Sequence, residues 1–201
     1  MFIEAIKSIK KFVFLLIILF LILILFCNSV VLVKGYIASG KISSQNCQLL
    51  RIILYGSSDT PDGETVSAKF SLLDKNGNDI AVIERSWPDS FLAVDFSTSE
   101  RKGIINYFPE KIYGTDSVIS RKHFFIRKSG TNLIPYYMEN RKCLLGISET
   151  EQSKMYDAAV FALNPLSFLY SKKYTVNLSL CKTAVYYGIF IENGKLILRK
   201  E

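Results

Sequence analysis

Residues 12–33 (FVFLLIILFLILILFCNSVVLV) run for 22 positions without a charge. Nothing else in the chain restricts its fold and placement so strongly. At about 1.5 Å per residue, a helix of this length reaches roughly 33 Å, against a hydrocarbon core of about 30 Å. Its polar members, Cys27, Asn28 and Ser29, sit in the last third. Their short side chains can bond back to helix carbonyls, so they are compatible with lipid. A buried core helix is the competing reading, but such helices seldom stay apolar on every face for six turns.

The flanks give an orientation. Lys7, Lys10 and Lys11 precede the run, whereas Lys34 and Lys41 follow it. Basic residues favour the cytoplasmic side, so residues 1–11 are expected to form a cytoplasmic tail and the remainder to be exported. A cleavable signal peptide would have a shorter apolar stretch ending in small residues. Cleavage before Val30 would use Cys27 and Ser29 as those residues. A lipid-anchored Cys27 is disfavoured by the bulky Phe26 before it. The expected organisation is a tail (1–11), an uncleaved transmembrane signal-anchor (12–33), a stalk (34–46) and an exported domain (47–201).

The domain's apolar periodicity is mostly that of strands. Residues 49–55 (LLRIILY) form a compact apolar run, and residues 66–72 alternate, with Val66, Ala68, Phe70 and Leu72 on one face. Leu92, Val94 and Phe96 alternate in the same way. Residues 80–83, 104–108, 123–126, 133–138 and 144–147 are further strand candidates. So are 175–180, with Val176, Leu178 and Leu180 inward, then 185–191 and 196–198. Asn76-Gly77 and Asn193-Gly194 stand between such runs and mark hairpin turns. One helix interrupts the pattern. Ser148 and Glu151 have capping-box spacing, Met155, Ala158, Ala159 and Ala162 follow at helical spacing, and Asn164-Pro165 closes it. The expected fold is mainly β, a sandwich or barrel of about ten short strands with one inserted α-helix, preceded by a single transmembrane helix.

Chemistry is harder to find. The single histidine, His123, excludes two-histidine metal sites. No Gly-x-Ser-x-Gly elbow or familiar cysteine context accompanies it, and a histidine among basic strand residues reads as surface. Ser99 and Lys102 have Ser-x-x-Lys spacing, but the companion signatures are absent. The loop 74–79 (DKNGND) places oxygen side chains like the start of a calcium loop. Its sixth and twelfth positions, Asp79 and Arg85, do not fit, so a hairpin turn is expected. No pattern points to a cofactor or a metal.

In an oxidising compartment, Cys47, Cys143 and Cys181 would allow one disulfide, with Cys143–Cys181 the candidate pair; unpaired buried thiols are the equal alternative. Arg121, Lys122, Arg127 and Lys128 form the one local basic concentration in a chain of net charge +7. Neighbours in a strand point to opposite faces, so this is a weak basic surface patch, and a nucleic-acid platform is not expected. The functional expectation is a membrane-anchored module for binding or accessory work at the cell envelope. Its partners would be the bilayer, through residues 12–33, and an envelope protein or anionic surface. A membrane-tethered hydrolase, and a cleaved or lipid-anchored secreted form, are the alternatives.

Overall fold

The computed structural model describes residues 2–42, 46–60, 63–114, 130–167 and 171–201. Its N-terminal helix, α1 (Phe2–Ser39), has 38 residues and so is about 57 Å long. The apolar window of its Lys11–Ser39 portion has no part buried against the rest of the chain. Asn28 and Ser29 donate to the carbonyls of Ile24 and Leu25 at 2.9 and 2.8 Å, so the run's polar side chains are satisfied within the helix.

The helix does not stop where the apolar run does. Residues 34–39, expected to belong to a stalk, continue it for more than a turn and pack on the domain. Gly35, Ala38 and Ser39 are buried. Gly35 lies against Asp157 and Phe161 of α3 (Glu149–Leu163), and the Tyr36 and Phe161 rings are 6.0 Å apart. At Gly35 the two helices meet so closely that a β-carbon would run into Phe161 and the Asp157 carbonyl.

Eleven strands are present among the described residues: β1 (Cys47–Thr60), β2 (Gly63–Leu73), β3 (Asp79–Trp87), β4 (Leu92–Arg101), β5 (Ile104–Gly114), β6 (Gly130–Asn132), β7 (Met138–Glu139), β8 (Lys142–Cys143), β9 (Lys173–Asn177), β10 (Tyr186–Glu192) and β11 (Lys195–Lys200). They make a five-stranded sheet in the order β11-β10-β1-β2-β3, a four-stranded sheet β6-β5-β4-β9, and the small pair β7-β8. All pairings are antiparallel. The buried faces of both large sheets contribute to one core cluster with the apolar side of α3. In β2 the inward residues are Val66, Ala68, Phe70 and Leu72, as the alternation requires. Across the sheet, Phe70 lies between Ile52 of β1 and Ile83 of β3.

The turns follow their residues. Asn193 and Gly194 both have positive φ (50° and 72°), the geometry of a two-residue hairpin turn. Lys102-Gly103 does the same between β4 and β5 (53° and 75°), although a lysine gave no sequence signal. In the 74–78 turn only Gly77 has positive φ, at 84°. There the Asp74 carboxylate accepts the backbone N–H groups of Asn76 and Asn78, both at 2.8 Å, and so closes the turn itself.

Four segments differ from expectation. Residues 133–138 hold a single-turn helix, α2 (Ile134–Tyr137), which places the fully buried Leu133 and Tyr137 on one side. Tyr137 Oη donates to the Pro109 carbonyl at 2.9 Å. Residues 144–147 are turn rather than strand. Strand β5 continues past Pro109 because the pairing skips Glu110, a bulge that spares the missing donor. β9 ends at Asn177, whose side chain accepts the Ser179 N–H at 2.8 Å; the chain then turns, leaving Leu180 89 % exposed.

Candidate functional site

A cavity of about 400 Å³ opens where the tips of three hairpins converge beside α3. β1 contributes Cys47 and Leu49, the β2–β3 turn Lys75, the start of β5 Ile105, Asn106 and Tyr107, and the β10–β11 turn Asn193 and Gly194. Hydrogen bonds fix these tips together. Tyr107 Oη donates to the Gly194 carbonyl at 2.9 Å, and the Asn193 N–H donates to Asn46 Oδ1 at 3.1 Å. Asn106 Nδ2 donates to the Ser39 carbonyl at 3.0 Å, which ties the cleft to the end of α1.

Lys75 is positioned by its backbone N–H, which donates to the Leu145 carbonyl at 3.2 Å. Its Nζ donates to Glu151 Oε1 at 2.6 Å, with side-chain exposures of 7 % and 17 %. Glu151 also accepts the Ile147 N–H at 3.1 Å, while its own N–H donates to Ser148 Oγ at 3.3 Å. The capping box legible in the sequence therefore also holds the carboxylate that neutralises the cleft's lysine.

Burial pushes the Cys47 thiol up, with Lys75 opposing and Glu151 adding to it. Burial likewise raises the Tyr107 phenol, helped by Tyr174 and Glu100. Both groups are uncharged near neutrality. The cleft thus offers amide hydrogen-bonding groups, apolar walls and one compensated charge pair. That composition suits recognition of a polar molecule, and no thiolate stands ready as a nucleophile.

The candidates named from sequence do not gather here. All four cysteines are free thiols. Cys143, at the Lys75 side of the domain, has its thiol pushed from an ordinary 9.0 up to about 12 by burial. Cys181 instead lines a cleft with Leu54, Gly56 and Leu92. Leu54 is seven residues along β1 from Cys47, roughly 23 Å at the usual strand rise. The two sulfurs are not brought together. Arg121, Lys122, Arg127 and Lys128, with His123, lie outside the described residues. Among the described residues, no group of three or more His, Cys, Asp or Glu side chains is placed to hold a metal ion. Sequence reasoning missed the meeting of Lys75, in the 74–79 turn, with Asn106 and Tyr107 of β5, because no local motif joins the two segments.

The raised Cys143 pKa predicts an alkaline limit. A folded-state value above the unfolded one leaves stability intact below about pH 9; stability then falls toward about pH 12 as the unfolded thiol ionises first. Thermal midpoints measured across that window should decline. Substituting Cys143→Ala should flatten the decline, and an unchanged slope would remove Cys143 as its source.

Comparison with protein-family models, curated proteins and solved structures found no match. The chain is a β-rich domain carried behind one long apolar helix.

Proposed function

We propose that the chain is a single-pass membrane protein that displays its β-rich domain outside the cytoplasm as a binding or accessory module of the cell envelope. The observation that carries this reading is the contrast along α1. Its apolar window is uncovered by protein, yet its last turn is built into the domain core through Ala38 and Ser39. Uncovered apolar surface on every face of a helix of this length is what a bilayer satisfies. The lysines at 7, 10 and 11 favour a cytoplasmic N-terminus. Packing of residues 34–39 against α3 favours a retained anchor over a discarded leader. Confinement to a membrane raises the cleft's effective concentration toward other membrane-bound partners, which is how such a module acts without chemistry of its own.

The test is protease accessibility of a C-terminally tagged full chain in cells stripped of outer layers, read with the intact mass. Digestion of the domain, with uncut protein retaining residues 1–34, is the expected result. Protection until the membrane is lysed would place the domain inside. A mature mass lacking the apolar run would replace the anchor with a cleaved form.

A further inference from the structure

Below the Gly35 contact, α1 and the end of α3 diverge and leave a groove of about 230 Å³. It is lined by Leu32, Val33, Tyr36, Phe161, Leu166 and Ser167. Val33 is 57 % exposed and Leu166, in the 3-10 turn Pro165–Ser167, 50 %. The polar groups that residues 164–167 bring to the groove are engaged locally. Ser167 Oγ donates to the Asn164 carbonyl at 2.6 Å, and Asn164 Oδ1 accepts the Leu166 N–H at 2.9 Å. A polar ligand would find little to bond.

Position narrows the occupant. Leu32 and Val33 are the last residues of the uncharged run, so the groove continues the apolar surface of the span at the edge of the hydrocarbon. Tyr36 stands about 4.5 Å further along the axis, at the level where aromatic residues gather in membrane proteins. The Arg101 guanidinium lies over the Tyr36 ring, 4.7 Å from its centroid, and donates to the Tyr36 carbonyl at 3.2 Å. Among the described residues no carboxylate forms an ion pair with Arg101. An apolar slot at the bilayer edge with a cation directly above it matches a phospholipid, chain below and phosphate above.

We propose that this groove holds an acyl chain of a phospholipid from the leaflet where α1 emerges, with the phosphate against Arg101. The domain is then seated on the membrane rather than held off it. This rests on the membrane-anchored reading, and the test separates the two.

The full chain is reconstituted into bilayers whose lipids carry bromine near the headgroup or near the chain end, and tryptophan quenching is read. Trp87, the single tryptophan, is buried in the core and supplies the blank. Phe20→Trp, in the middle of the apolar run, should be quenched most by the deep bromines. Leu166→Trp should be quenched beyond the blank, and most by the shallow ones. In that second variant, brominated phosphatidylglycerol should quench more than brominated phosphatidylcholine, a difference that Arg101→Gln should abolish. Quenching of Phe20→Trp without quenching of Leu166→Trp overturns the groove and leaves the anchor standing. No quenching in either overturns the anchor as well. Equal quenching by the two lipids overturns the role of Arg101. A Leu166→Trp signal that changes with protein concentration instead of lipid assigns the groove to a second copy of the chain.

Discussion

Phe70→Ala is expected to destabilise the domain by about 3–5 kcal/mol, the range for removing a buried aromatic ring and leaving a cavity. Phe70 is fully buried in β2, flanked across the sheet by Ile52 and Ile83. Its ring also meets Trp87 edge-on, with centroids 5.6 Å apart and planes at 79°. Among the described residues, Trp87 Nε1 is the buried side-chain polar atom without a hydrogen-bond partner. Packing, with the Arg85 guanidinium 5.4 Å from the ring centroid, therefore holds that indole in place of a hydrogen bond, and Phe70 is a main part of the packing. Since domains are typically stable by only about 5–15 kcal/mol, the loss would be a large fraction of the total. Urea titration followed by Trp87 emission reads both effects: a lower midpoint and a changed native spectrum. A loss below about 1 kcal/mol would be outside the range for a core aromatic and would remove Phe70 from this role.

The second large effect is expected at Gly35. In an exposed helix, alanine would improve on glycine by about 1 kcal/mol. Here a β-carbon would fall inside the contact distance of Phe161 Cβ and lie 2.5 Å from the Asp157 carbonyl oxygen. Neither atom is the end of a flexible side chain, so α3 itself must move. Overpacking of this kind costs about 1–3 kcal/mol, which outweighs the propensity gain. Gly35→Ala should lower the thermal midpoint, and Gly35→Leu should also part the two helices, exposing residues 34–42 to protease. A rise in the midpoint with Gly35→Ala would mean that the helices are not docked in solution.

Much of this architecture can be read from the chain because most of its strands bury one face. Val66, Ala68, Phe70 and Leu72 alternate in sequence as they do in the core, and Leu92, Val94 and Phe96 reach the same core from β4, which is buried on both faces. The Ser148 cap is legible because capping is local: Ser148 Oγ and the Glu151 N–H are three residues apart. What escapes is decided at a distance. Gly35 and Ser39 read as stalk residues until Phe161 is placed beside the first and Asn106 beside the second. The helix at 134–137 depends on the Pro109 carbonyl that receives Tyr137. The cleft is illegible for the same reason, since its Lys75–Glu151 pair joins residues 76 positions apart.

The order of the larger sheet also has a consequence for when the domain can form. β1, the first strand to be synthesised, lies between β2 and β10, and Asn46 meets a residue 147 positions later. Its partner on one side exists as soon as β2 is made, but the other edge, along residues 47–53, must wait for Tyr186–Glu192. Pairings at such separation are slow to close, and an open apolar strand edge invites association with other chains in the interval. The domain must therefore complete its fold after its synthesis, with the last strands to emerge closing over the first.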